Sequence, residues 1–295
     1  MKKKEKAGNY QGSYKVAGGR YGVLLIHSLG GTPVELRHLA QSLGRSGFTV
    51  SCPFVPGMTA GTDISGISTW EDWFAGIEAS YAELAETCDT IYVGGLSAGS
   101  ILGLHLATKH PETIGGLILL APTLWPNGWA IPWYFNFFRL VNDRFSARLF
   151  HFRQREPFGI KDERIRKFAI ESFANDERPV EDIFGRGGGL VYQFRRLVRR
   201  VQRQLGEINQ PALVIHPRQD DQSDLSNAFR IQRGLAGMVE SIVLNDSYHM
   251  VTLDRQRNLV VDRTVEFLER LAAADEAKAA RTVNAQKYAA NGAAE

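Results

Sequence analysis

The stretch that most limits what this chain can become is Thr90 to Ser100, TIYVGGLSAGS. Ile91, Tyr92 and Val93 are β-branched or aromatic, as a buried strand requires, and Ala98 onward is apolar and helical in composition. Between them only Gly94, Gly95, Leu96 and Ser97 are left to reverse the chain. A strand that runs straight into a helix needs residues without bulky side chains at the corner, and Gly95-Leu96-Ser97-Ala98-Gly99 supplies them in the spacing G-x-S-x-G. In that spacing the serine hydroxyl stands clear of the backbone, as a nucleophile. The blander role for Ser97 is a helix N-cap after a buried strand.

The flanks repeat the strand-then-helix order. Gly22 to His27 (GVLLIH) is continuously apolar, the mark of a strand covered on both faces of a parallel sheet. Thr32, Pro33 and Glu35 then announce a helix with a T-x-x-E capping box and the stripe Leu36, Leu39, Ala40, Leu43. Further strands are expected at Phe48 to Pro53, Ile118 to Ala121, Pro211 to His216 and Ser241 to Leu244, with Gly12 to Val16 a short extra one. Helices are expected after a Ser68/Glu71 capping box, with the stripe Trp70, Trp73, Phe74, Ile77, Tyr81 and Leu84, from Ala98 to about His110, from Asp224 to about Leu235, and from Gln256 to Leu271. Alternation of this kind predicts an α/β fold with a mostly parallel central sheet wrapped by helices.

The alternation fails between Leu120 and Pro211, a span far too long for an ordinary connection. It is read as a helical lid inserted over 122–210. Residues 1–20 are a loose lead-in, 21–121 and 211–272 the core, and 273–295 an alanine-rich tail, frayed or disordered. The lid opens with Trp125, Trp129, Trp133, Tyr134, Phe135, Phe137 and Phe138, and about half of these are expected to be its own core. Later, Val191, Phe194, Val198, Val201 and Leu205 form an apolar stripe opposite Arg195, Arg196, Arg199, Arg200 and Arg203. That basic face is read as solvated, the sharper alternative being contact with an anionic membrane surface.

A net charge of +3 spread along 295 residues, without a nucleic-acid-binding motif, argues against a nucleic-acid partner. The two cysteines, Cys52 and Cys88, have no CxxC spacing and join no Cys/His metal cluster, which fits a reducing cytoplasm. Met1 to Lys4 are charged like the start of a signal peptide, but no apolar segment follows, and no run is long enough to span a membrane.

A serine hydroxyl is a poor nucleophile at neutral pH and needs a histidine base, itself oriented by a carboxylate. His249 follows the last strand in a polar loop, LNDSYHM, from which an imidazole can reach the elbow. The other six histidines sit in strands, helices or the lid. The acid is expected after PALVIH, where Asp220, Asp221 and Asp224 compete; Asp220 lies nearest the strand end, Asp221 reads as a solvated neighbour and Asp224 as an N-cap. An oxyanion needs two N–H donors, for which Ala98, after the nucleophile, and Leu29, after the first apolar strand, are the candidates.

With VLLIHSLGGTP at 23–33, GGLSAGS at 94–100, PALVIHPRQDD at 211–221 and SYHMVTLDRQR at 247–257, the chain resembles the α/β-hydrolase superfamily, and within it the bacterial carboxylesterase and monoacylglycerol lipase group. The resemblance implies an α/β-hydrolase fold with Ser97, Asp220 and His249 as triad and the Leu29 and Ala98 amides as oxyanion hole. Family members commonly carry glycine where this chain has Ser28, so either the second oxyanion donor sits differently or Ser28 adds a hydroxyl contact near the site; Trp125, Trp129 and Met250 are the other substrate-side candidates. The implied activity is hydrolysis of a small-molecule carboxylic ester without cofactor or metal; the lid aromatics, as a large apolar surface beside the triad, point to a small to medium apolar acyl group or a monoacylglycerol-like substrate. The same triad serves a thioester, lactone, amide or carbon-carbon bond, and a hydrolase-like binding protein is the reading from another class. Oligomeric state is left open.

Overall fold

The computed structural model describes residues 12–60, 62, 68–171 and 185–292. The first part of the 1–20 lead-in, part of the loop before the second helix, residues 172–184 of the insertion and the last three residues of the tail lie outside the described residues.

Seven strands form one sheet: β1 (Tyr14–Val16), β2 (Tyr21–Ile26), β3 (Thr49–Cys52), β4 (Thr90–Leu96), β5 (Ile114–Leu120), β8 (Ala212–Pro217) and β9 (Val239–Leu244). Their order is β1-β3-β2-β4-β5-β8-β9, with β1 antiparallel to β3 and every other pairing parallel. A two-stranded ribbon, β6 (His151–Phe152) with β7 (Arg186–Gly187), lies in the long connection after β5. The central strands β2, β4, β5 and β8 are almost wholly buried because helices cover both faces, and this is why they read as unbroken apolar runs.

The sheet divides the core in two. On one face α2 (Trp70–Ala85) and α3 (Ala98–Lys109) pack with α6 (Gly188–Gln202); on the other lie α1 (Arg37–Arg45) and α8 (Arg257–Gly292). In α3 every residue from Ala98 to Leu106 is buried, so the helix needs no polar stripe. The remaining helices are α4 (Arg144–Ala147) and α5 (Glu163–Glu171) in the long connection, and α7 (Leu225–Gly234) between β8 and β9.

Three local expectations differ from the structure. The α2 cap is one residue later: Thr69 N–H donates to Asp72 Oδ2 at 2.8 Å and Asp72 N–H to Thr69 Oγ1 at 3.2 Å, while Ser68 Oγ accepts the Trp73 indole N–H at 2.8 Å. Arg195 is buried rather than on the polar face, because its guanidinium donates to Phe138 O at 2.6 Å and to Val141 O at the end of the 3-10 turn over Trp133–Leu140. Finally, α8 continues well past Leu271; its extension is fastened to the sheet by Tyr21 Oη donating to Ala272 O at 3.2 Å and Thr90 Oγ1 to Asp275 at 2.9 Å.

Parallel strands leave all their carboxyl ends on one edge, and the pairings β2–β4, β4–β5, β5–β8 and β8–β9 set five loops side by side there. In open α/β sheets that edge is where ligands bind.

Candidate active site

At the end of β4 the chain turns through Ser97 with φ 57° and ψ −112°, a conformation costly for any residue with a side chain. Its neighbours explain how the turn is tolerated. A Cβ on Gly95 would stand 2.3 Å from Gly99 C, and one on Gly99 would stand 2.1 Å from Ile26 O and 2.7 Å from His27 O. These are backbone atoms that cannot swing away, so only glycine fits at either position. Ser97 N–H is anchored to Leu120 O at 2.8 Å, and Ser100 Oγ donates to Gly95 O at 2.7 Å. The Ser97 side chain makes no capping bond to α3; its Oγ bonds Thr123 Oγ1 at 3.1 Å. Geometry therefore disfavours the N-cap reading.

His249, in the loop after β9, aims Nδ1 at the Asp220 carboxylate, 2.8 Å from Oδ2 and 3.0 Å from Oδ1. Asp220 Oδ1 also accepts the Gln222 and Ser223 N–H groups, both at 2.8 Å, and His216 Nε2 lies 3.4 Å from Oδ2. Burial by itself would push the Asp220 carboxyl up and the His249 imidazole down. The contact between them outweighs it, holding Asp220 below the usual carboxylate range and His249 above the usual histidine range.

The three competing aspartates have three separate roles in the geometry. Asp224 caps α7, accepting Ser226 N–H at 2.9 Å. Asp221 is fully buried, not solvated: Oδ2 accepts Gly159 N–H at 2.8 Å and Oδ1 the backbone N–H of His249 at 3.3 Å. Burial and the neighbouring Asp220 push its carboxyl up to about 6. Gly159, at φ 82°, is where the long connection meets this loop; a Cβ there would stand 2.7 Å from Met250 Cγ.

The loop after β2 is pinned at almost every polar atom. Ser28 N–H donates to Glu35 Oε2 at 3.1 Å, and Ser28 O takes Gly31 N–H at 3.0 Å and lies 2.8 Å from His27 Nδ1. Gly30 N–H donates to Met58 O at 2.9 Å, and Leu29 O accepts Arg186 Nε–H at 2.5 Å. Among the described residues no hydrogen bond takes up the Leu29 N–H. The Ala98 N–H, at the first position of α3, is one of the four a helix cannot satisfy internally.

The substrate-side candidates are more scattered. Ser28 is buried, its hydroxyl against Gly31. Trp125 is buried in the aromatic cluster of the long connection with Phe135 and Phe138, beneath the Arg139 guanidinium, 4.4 Å from its ring centroid. Trp129 is 59 % exposed, donates to Gln219 O at 3.1 Å and meets Tyr248 edge-on. Met250 packs beside His249, its N–H donating to Gly159 O at 2.8 Å. Thr123, Ser223 and Arg186 were not singled out from the sequence, and Glu35 only as the end of a capping box. For Thr123 a signal existed, since it stands just past the end of β5, beside the elbow strand.

The family model described as serine aminopeptidase, S33 (Hydrolase_4) matches residues 20–256. The chain belongs to that family. A thermostable monoacylglycerol lipase of Bacillus sp. (strain H-257) is 29% identical over 257 residues, 84% of this chain and 90% of that protein. A carboxylesterase of Bacillus subtilis (strain 168) is 23% identical over 256 residues, 86% and 94% of the two chains. Among solved structures, the monoacylglycerol lipase of Paleococcus ferrophilus superposes with a TM-score of 0.71 at 17% identity, over 88% of this chain and 98% of that one. The fold of this family member is thus the α/β-hydrolase fold. Among the described residues no helix is long and apolar enough to cross a membrane, and no three His, Cys, Asp or Glu side chains are grouped as metal ligands.

Proposed function

We propose that the chain is a serine hydrolase of carboxylic esters working through an acyl-enzyme on Ser97. The observation that carries the reading is the buried His249–Asp220 pair, joined at 2.8 Å on loops at the same sheet edge as a serine in a strained elbow. Ser97 Oγ attacks the ester carbonyl, and His249 takes its proton and returns it to the leaving alcohol. Asp220 fixes the imidazole tautomer and stabilises the imidazolium, and the Leu29 and Ala98 N–H groups bind the oxyanion. Water, activated by the same histidine, releases the acid.

An ester suits this site better than the N-terminal peptide bond that the family's description names. An aminopeptidase needs a group to hold the substrate's ammonium, and among the described residues of these loops Asp221 is committed to two N–H groups and Glu35 to those of Ser28 and Thr32. The monoacylglycerol lipase and carboxylesterase relatives support the same choice, as do the aromatics of the long connection, for a small to medium apolar acyl group. The free, widely spaced cysteines fit a cytoplasmic setting.

A fluorophosphonate probe should label the native protein and not Ser97→Ala, and an ester chain-length series should be hydrolysed where the matching anilides are not. Faster turnover of anilides than of esters would move the assignment to amide bonds.

A further inference from the structure

A row of buried hydroxyls runs from the proposed nucleophile to the proposed acid without passing through His249. Ser97 Oγ lies 3.1 Å from Thr123 Oγ1, Thr123 Oγ1 lies 2.9 Å from Ser223 Oγ, and Ser223 Oγ lies 3.4 Å from Asp220 Oδ2. All four residues are buried. An ionised carboxylate only accepts, so the direction of each bond follows from it. Ser223 donates to Asp220, its lone pair then accepts from Thr123, and Thr123, its single proton committed to Ser223 or to Ala121 O at 3.2 Å, accepts from Ser97. The Ser97 proton therefore points at Thr123, and among the described residues Thr123 is the partner of that hydroxyl.

Resting on the triad reading above, we propose that Thr123 is a positioning residue whose hydroxyl, ordered through Ser223 by Asp220, holds the Ser97 hydroxyl off His249 until substrate binds. Attack requires the Ser97 hydroxyl to leave Thr123 and turn to His249 Nε2. Ala121, at φ 41°, makes the sharp bend after β5 that brings Thr123 beneath the elbow. The hold is one neutral hydrogen bond, so releasing it multiplies the reactive orientation by about 2- to 10-fold.

The test is the second-order rate of labelling by a fluorophosphonate, in which the Ser97 Oγ–P bond forms, the proton passes to His249 and fluoride leaves. Thr123→Val keeps the shape and removes the hydroxyl; it should label about 2- to 10-fold faster than native protein even if its Tm falls. A merely structural role for Thr123 would slow labelling instead. Thr123→Ser restores a hydroxyl and should bring the rate back toward native. Thr123→Ala, should Thr123→Val not fold, likewise removes the acceptor of the Ser97 proton and should also label faster than native protein. Rates at or below native in Thr123→Val, or in Thr123→Ala where it alone folds, overturn the proposal while leaving the triad intact. Native protein that no fluorophosphonate labels removes the triad reading and this inference with it.

Discussion

Replacing Asp220 by Asn should cost far more activity than replacing Asp221 by Asn, although both carboxyls are buried within reach of His249. The difference lies in what each one touches. Asp220 meets the imidazole ring at 2.8 Å, whereas Asp221 meets only the backbone N–H of His249 at 3.3 Å and Gly159 N–H at 2.8 Å. Charge on the ring rises to a full unit in the transition state, and a unit countercharge about 4 Å away at an effective dielectric of about 20 is worth roughly 4 kcal/mol. At about 1.4 kcal/mol per decade, Asp220→Asn should lower kcat by about three orders of magnitude. It also removes the strongest group that raises the imidazole against burial, leaving only Asp221 and Glu35 to oppose it, so the acid limb of the pH–rate profile should move to lower pH. Asp221→Asn keeps one acceptor oxygen and should reduce kcat by less than about tenfold. Profiles of kcat and kcat/KM against pH on a p-nitrophenyl ester, run on both variants, decide the matter. A larger loss in Asp221→Asn, or an acid limb displaced upward in Asp220→Asn, refutes the assignment of the two carboxyls.

Gly99→Ala should destabilise the protein by about 1–3 kcal/mol and abolish Ser97 labelling, since the new methyl meets two backbone oxygens; Gly103→Ala, one turn along the same helix and facing only Val93 Cγ1 at 3.2 Å, is the matched control. Thermal melts check this, and equal Tm losses in the two variants would contradict the close-approach argument. The raised Asp221 carboxyl predicts a pH dependence of opposite sign to that of Asp220. Between pH 3.8 and about 6 the native state keeps a proton that the unfolded chain releases, so this group's contribution to stability falls as pH rises through that window and then levels off. Asp220, held low, contributes stability that is lost as pH falls. Relative to native, Asp221→Asn should gain up to ~3 kcal/mol between pH 4 and pH 7 in urea unfolding; a constant gap would remove the cause assigned to the shift.

The parts of this molecule that could be read from sequence are those in which one physical constraint acts on consecutive residues. GVLLIH and PALVIH announce strands because burial on both faces forbids polar residues at every position, and Gly95 and Gly99 bracket Ser97 because backbone atoms crowd both places. The acid and histidine loops followed from the same logic, since parallel strands bring their carboxyl ends to one edge. What could not be read depends on pairs that the fold brings together from far apart. Thr123 and Ser223 are a hundred residues apart and meet because β5 pairs with β8; as isolated hydroxyls in loops they carry no spacing that marks them. Arg195 belongs by period to a charged stripe, yet its fork reaches the Phe138 and Val141 carbonyls at the end of the Trp133–Leu140 turn, more than fifty residues earlier. The same asymmetry separates mechanism from substrate. The proposed attack chemistry rests on strand-end loops whose positions are fixed by the sheet, whereas the acyl preference proposed above rests on aromatics of the long connection that follow no period. Trp125 is buried and Trp129 exposed although they are four residues apart. Substitutions of the aromatics Trp125, Trp129 and Phe135, which make no contact with the elbow serine among the described residues, should therefore alter the ester chain-length profile while leaving the pH dependence of Ser97 labelling unchanged.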